Sequence, residues 1–321
     1  FRYKELVYVV RIIIYIKIIV PFICIVLFTM YNMSMQLTQL TSSVLSYSNL
    51  RESIAEYERK NAPIDTRKRS IMSKEDSNPK LFLGSAQGHA TLSLSLSPAN
   101  TSGIDICPKA GFCRRGCVGI NAGHSVMGVD CANNPTVLNS VRSARIARTR
   151  ELFGGGLTAL MALQAIDREI GAFVKRCAKR GVTPSVRMNA FSDILWEKVW
   201  GELFERYSTV QFYDYTKIAS RIGKTPSNYH LTFSRAEDNE ADALSILQSG
   251  YNVAVVFGIE SATELPKTWN GYTVIDGTAT DLRFLDPKNS VVGLSWKGPT
   301  SHRAYDESMA YATANGFAVR V

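Results

Sequence analysis

Three cysteines stand within eleven residues, Cys107, Cys113 and Cys117, in the stretch ICPKAGFCRRGC. Five residues separate the first two and three separate the second two. Thiols packed this closely make poor disulfide partners and good ligands for a soft metal, which also implies a reducing compartment. Zinc needs four ligands, normally in two close pairs, and the first interval is wide for such a pair. Cys131 or His124 would have to complete a zinc site. Iron–sulfur clusters take cysteine thiolates, and a cluster held by three of them leaves one iron open to a cofactor or substrate. The cluster of cysteines therefore predicts an iron–sulfur centre, with zinc as the alternative metal.

A second group of reactive residue types lies just after apolar runs. Arg187, Asn189, Ser192 and Asp193 follow one run; Asp214, Tyr215, Thr216 and Lys217 end another. Ser234, Arg235 and Glu237, then Asp276 with Asp281 and Arg283, then Lys297, follow later ones. In parallel α/β folds the strand ends on one side build the site. The catalytic candidates are Arg187, Asp193, Asp214 and Lys217. Asn189, Ser192, Thr216, Arg235 and Lys297 are candidates for holding a cofactor or an anionic substrate. Arg187 alternates with Val186 and Met188 inside a strand, so it must be paired or bind an anion. Asp193 is placed to cap the helix that follows. His230 stands alone in an apolar strand and reads as a core histidine. Gly154–Gly156 lacks the Lys-Ser/Thr of a phosphate loop, and no Gly-x-Ser-x-Gly elbow is present.

These residues need a frame, and the periodicity supplies one. Strand patterns cover 91–97, 185–191, 210–216, 229–234, 252–258, 272–277 and 290–296. Helical patterns cover 135–153, 157–180, 194–207, 239–248 and about 305–315, with Gly181 and Gly250 as stops. The first helix sets Arg142, Arg145 and Arg148 at helical spacing. Strands alternating with helices predict a mostly parallel α/β sheet, as a partial or open (βα) barrel.

The chain of 321 residues is 45% hydrophobic and can bury a sizeable core. Of its net charge of +9, residues 1–71 hold ten Lys/Arg against five Asp/Glu. The rest is close to balanced, so basicity alone does not argue for nucleic acid. Residues 1–50 read as a hydrophobic helical segment outside the domain, 51–80 as a charged linker, and 81–321 as an α/β metal-binding domain. The apolar run at 7–30 has the length of a membrane span, but Arg11 and Lys17 interrupt it. Two expectations compete: residues 1–71 are foreign to a protein that starts at Met72, or 7–30 is an anchor. The first places the protein in the host cytoplasm and the second on a membrane.

Two resemblances bear on function. Three cysteines after a first strand, ahead of a partial barrel, resemble the radical S-adenosylmethionine enzymes. Their usual Cys-x3-Cys-x2-Cys differs from the Cys-x5-Cys-x3-Cys found here. The ordered string CPKAGFCRRGC, VRSARIART, VRMNAFSDILWE, VQFYDYTK, NYHLTFSRAEDNE, VIDGTATDLRFLDP and VVGLSWKG resembles bacteriophage proteins of the gene product 88 type, over about residues 80–300. That resemblance implies a phage origin, and it marks Cys107, Cys113, Cys117, Arg187, Asn189, Ser192, Asp193, Tyr215, Thr216 and Lys217 as motif positions. It implies no particular reaction. Extra residues between Cys117 and Pro135, Cys131 among them, depart from the pattern, so no role for Cys131 follows from it. The expected function is a phage-encoded iron–sulfur enzyme using S-adenosylmethionine on a small-molecule, nucleotide or nucleic-acid substrate. The alternatives are a zinc-stabilised binding protein and a metal-independent nuclease or transferase built on Asp193, Asp214 and Lys217.

Overall fold

The computed structural model describes residues 70–73, 87–119, 140–154, 156–299 and 301–321, all within a compact unit spanning Ile54–Val321. The expected hydrophobic segment, most of the charged linker, His124, Cys131 and the start of the first helix lie outside the described residues.

Eight strands form one sheet: β1 (His89–Ser93), β2 (Thr183–Arg187), β3 (Gln211–Thr216), β4 (Tyr229–Ser234), β5 (Val253–Phe257), β6 (Thr268–Trp269), β7 (Tyr272–Asp276) and β8 (Val291–Ser295). Their spatial order is β1-β2-β3-β4-β5-β8-β7-β6. Every neighbouring pair is parallel except β6 with β7. The sheet is open, with β1 and β6 at its edges, as the expectation of a partial α/β architecture requires. The two-residue strand β6 was not anticipated, because so short a run carries no period.

Central parallel strands bury both faces, so they read as nearly unbroken apolar runs. Val253, Val255, Phe257 and Val291 pack with Phe233 against Ala243, Ile246 and Leu247 of the helix Glu240–Gln248. The longest helix, Gly156–Arg180, turns Ala159, Ala162, Leu163, Ile166, Ile170, Phe173 and Cys177 inward, each at most 3% exposed. That stripe packs on β1 and β2. Gly181 ends this helix at φ +66°, a conformation that favours glycine.

We number the helices α1 (Ser140–Phe153), α2 (Gly156–Arg180), α3 (Trp196–Val199), α4 (Glu202–Arg206), α5 (Glu240–Gln248) and α6 (His302–Ala314). The single helix expected over 194–207 is two short ones, α3 and α4, joined through Trp200 and Gly201. The strand expected to run to 191 ends at Arg187, and β1 leaves the ladder after Ser93. Beyond those points the chain still crosses between the two strands, with Leu94 N–H donating to Arg187 O at 2.8 Å.

Residues 70–73 belong to the folded unit, ahead of the boundary expected at residue 81. Ile71 and Met72 are 1% and 2% exposed. Glu169 of α2 accepts their backbone N–H groups at 2.8 and 3.1 Å, and Ser73 bridges Ser93. Among the described residues no helix is long and apolar enough to cross a membrane.

Candidate functional site at the strand ends

Parallel pairing puts the C-terminal ends of β1–β5, β7 and β8 on one edge, and the cysteine loop folds over that edge. A short turn of 3-10 helix, Gly111–Arg114, carries Cys113. It is seated by Phe112, whose ring stacks on Phe317 at 5.1 Å, and by Trp296, which meets Phe317 edge-on at 6.2 Å in the same buried cluster. Phe317 reaches this place because the C-terminal tail pairs beside β5, with Val319 N–H donating to Val256 O at 2.8 Å. Gly111 has φ +49°, and a Cβ there would lie 2.2 Å from Oε1 of Glu237. Glu237 follows β4, and its Oε1 accepts the Phe112 N–H at 2.6 Å. The loop is also tied to the chain after β2, where Asp193 N–H donates to Ile106 O at 2.9 Å.

The three thiols lie within electrostatic reach of one another. All three cysteines are free of disulfides. Cys113 and Cys117 share a hydrogen bond, and Cys107 interacts electrostatically with both. The hydrogen bond from Cys117, aided by Lys217 and opposed by burial, lowers Cys113 to about 6. The same hydrogen bond together with burial raises Cys117 well above an ordinary thiol. Burial pushes Cys107 up to about 12. Backbone N–H groups point at two of the sulfurs: Ala99 at Cys107 (3.3 Å) and Gly119 at Cys117 (3.4 Å). Arg145 of α1 stacks over Phe191 at 4.2 Å, donates to Gly119 O and attracts the Cys117 sulfur electrostatically. Cations and N–H donors around sulfur are what a bound thiolate cluster needs. Among the described residues, no three His, Cys, Asp or Glu side chains are gathered as a ready single-ion site.

The remaining predicted residues fall into two sets. Most are engaged with one another below the mouth. Asn189 Oδ1 accepts from Ser192, the Ile194 N–H and the Trp196 indole, and its amide donates to Ile194 O. Asp193 does not cap α3, whose N-cap position is Leu195, with no side-chain cap bond. Its carboxylate instead accepts from Thr216 Oγ1, Lys217 N–H and Arg221, each at 2.8 Å. Arg221 also forks onto Glu197 at 2.8 and 2.7 Å. Asp214 is fully buried and accepts from the N–H groups of Met188 and Asn189 and from Tyr229. Burial pushes it up to about 7, with Arg187 pulling the other way. Arg187 pairs with Asp281 and faces Asp214 at 3.7 Å, so its expected charge partner is within the chain. Burial opposes its charge, but Asp281, Tyr213 and Asp214 outweigh burial and hold it above the usual arginine range. Arg235 ties the tail down through Gly316 O and Phe317 O and pairs with Glu240 at 2.8 Å. His230, expected as a core histidine, is lowered to about 4 by burial and by Arg283.

Lys217 and Lys297 form the second set. Lys217 Nζ donates to Ser234 Oγ at 3.2 Å beside the Phe317 ring, and it faces Cys113. Lys297 is exposed just after β8. The structure also brings in Arg221, Trp296 and Phe317, which the sequence reading did not select, and it engages Arg145 and Glu237, which that reading named without a role. Arg145 belongs to the spaced arginines of α1, and Glu237 to the polar end of β4. Arg221 had no signal, since it lies in a short loop turn with no period.

A family model described as Gene product 88 matches residues 60–316. The chain belongs to the gene product 88 family. The match reaches upstream of Met72, so residues 60–71 fall inside the gene product 88 region, consistent with the buried Ile71. No curated protein and no solved structure matches the chain. All the motif positions of this gene product 88 protein named above lie within the matched span.

Proposed function

We propose that this gene product 88 protein is a phage-encoded iron–sulfur enzyme of radical S-adenosylmethionine type. Cys107, Cys113 and Cys117 would hold the cluster at the mouth of the open sheet. The observation that carries this reading is the cysteine loop itself. Three free thiols lie on one loop after β1, Cys113 hydrogen-bonded to Cys117 and Cys107 in electrostatic reach of both, with two backbone N–H···S contacts and two cations, Lys217 and Arg145, in electrostatic reach of Cys113 and Cys117. Three thiolates fit an iron–sulfur cluster with one open iron better than they fit four-ligand zinc. When bound, such a cluster supplies an electron to a cofactor at its open iron.

The chain's own residues would do the rest. Phe112, Trp296 and Phe317 exclude water beneath the loop. Lys217 and Lys297 present positive charge to an anionic substrate, a nucleotide or nucleic acid in this reading. Asn189, Ser192, Asp193 and Thr216 hold the rim of β2 and β3 in place by mutual hydrogen bonds. A metal-independent mechanism would need Asp193 or Asp214 as a base. Each of these carboxylates is committed to three donors, which weighs against that alternative.

Single replacements Cys107→Ser, Cys113→Ser and Cys117→Ser test the ligand set. Each is expected to lose bound iron and the visible absorption of the cluster. Any one of them retaining the full iron content of the parent protein contradicts the proposal.

A further inference from the structure

Residues 72–321 are nearly neutral in sum, but their charge is not evenly placed. The cysteine loop, 105–119, carries Lys109, Arg114 and Arg115 against Asp105, and α1 carries four arginines against Glu151. These two segments together hold seven Lys/Arg and two Asp/Glu, and the other residues from 72 onward hold 20 and 21. The positive excess therefore lies on the loop and on α1. The fold sets these segments side by side. Arg145 of α1 donates to Gly119 O at the loop's end, and Arg150 Nε donates to Ser102 O, just ahead of the loop, at 2.9 Å. Ser97 N–H, after β1, donates to Thr149 Oγ1 of α1 at 2.8 Å. Within the loop Arg114 pairs with Asp105, and Lys109 and Arg115 are exposed.

Aromatic rings stand among these cations. Arg145 lies over the half-buried Phe191 ring at 4.2 Å. Arg115 Nη1 donates to the Tyr311 hydroxyl at 2.6 Å, and Tyr311 is 41% exposed and 5.7 Å from Phe112. One or two cations suffice for a mononucleotide. An excess spread along a loop and a helix suits a chain of phosphates instead. Rings interleaved with arginines suit unpaired bases, which stack on aromatic faces whatever their sequence. Both rings are held by arginines, which suits stacking more than insertion into a lipid surface.

We infer that the cysteine loop and α1 form a binding surface for the phosphates and unpaired bases of a nucleic-acid strand. Lys109, Arg115 and the exposed side of α1 take phosphates, and Tyr311 takes a base. The inference narrows the anionic substrate proposed above to a polymer, and it rests on that reading for the link between this surface and the cysteine mouth. The charge separation itself does not depend on a cluster.

The test uses the full chain, purified without oxygen, with iron measured on every sample. Fluorescence anisotropy follows binding of labelled single strands of about 20 nucleotides, as DNA and as RNA of one mixed sequence, over a range of salt. Residues 1–71 are the same in every protein compared, so differences between variants report the folded surface. The double variant Lys109→Gln/Arg115→Gln should weaken binding by about tenfold and flatten the salt slope by about 1.4, at about 0.7 for each lost phosphate contact. Tyr311→Ala, on α6 and outside the loop, should weaken binding by about tenfold with an unchanged slope. Lys179→Gln/Lys288→Gln is the control. It makes the same change of charge at exposed positions just ahead of β2 and β8, on the opposite edge of the sheet, and should bind like the parent. Tighter binding in the DNA or the RNA arm identifies the strand. The inference is overturned if the control loses as much as the loop variant, or if adenosine monophosphate competes as well as the strands do. Binding to phosphatidylserine vesicles but to neither strand also overturns it. Iron-loaded protein that binds neither strand overturns the surface and leaves the cluster reading standing. Iron-free protein with the expected losses supports the surface and contradicts the cluster.

Discussion

At the scale of single residues, the strand-end carboxylates are framework. Asp214 shows this most clearly, because it is fully buried, accepts three hydrogen bonds and lies beside a charged arginine. Its pKa is pushed from 3.8 up to about 7 by burial. An acid with a raised native pKa keeps its proton in the fold after the unfolded chain has released it. Its contribution to stability is full below about pH 4 and is lost as the pH rises through about 7. In Asp214→Asn that loss disappears, since the amide does not ionise. Urea midpoints should therefore show the parent losing stability relative to the variant between about pH 4 and 8. A difference between the two that stays constant with pH would contradict the assignment. The sequence displayed the cysteines, Arg187 and the polar strand ends plainly, because their residue types are rare in apolar runs. It did not display which polar groups pair with each other. Arg187 reads as needing an anion, and its partners Asp281 and Asp214 come from distant points of the chain.

At the scale of elements, the cysteine loop is held in shape by its contact with the end of β4. Gly111→Ala combines a strained φ of +49° with a Cβ 2.2 Å from the Glu237 carboxylate. Gly103→Ala is the control, with φ +89° and nothing within 4 Å of its Cβ. Backbone strain costs both variants about 1–3 kcal/mol. Thermal unfolding should place Gly111→Ala below Gly103→Ala, and only the former should lose iron. Equal unfolding temperatures and equal iron in the two would remove Glu237 from its role in seating the loop. Element types were readable from period alone: α2 came within one residue at its start, and five of the eight strands match their expected runs to within one residue at each end. The misplaced ends share a cause. Around 188–207 the chain follows Asn189 and Trp196, whose hydrogen bonds to nearby backbone compete with regular structure, so the strand stops early and the helix breaks.

At the scale of the molecule, the open parallel sheet puts one functional edge on one side and leaves the packing of α2 to stabilise the other half. The segment 70–73 completes that packing, and Glu169 is its anchor. Glu169→Ala should speed hydrogen exchange at the Ile71 and Met72 amides by about 10- to 100-fold, matching about 1.5–3 kcal/mol for bonds to a charged acceptor. Exchange unchanged from the parent would show that this anchor does not hold the segment. The domain start was misread because residues 51–80 are charged, and charge there masks the short apolar pair Ile71–Met72 that docks. The openness of the sheet, by contrast, followed from the alternation of strand and helix patterns. The central claim concerns what the three cysteines hold. Its most direct measurement is iron, acid-labile sulfide and zinc in the full chain purified without oxygen. The account predicts a brown protein with about four irons and four sulfides per chain and no stoichiometric zinc. A colourless protein carrying one zinc and no sulfide would contradict it.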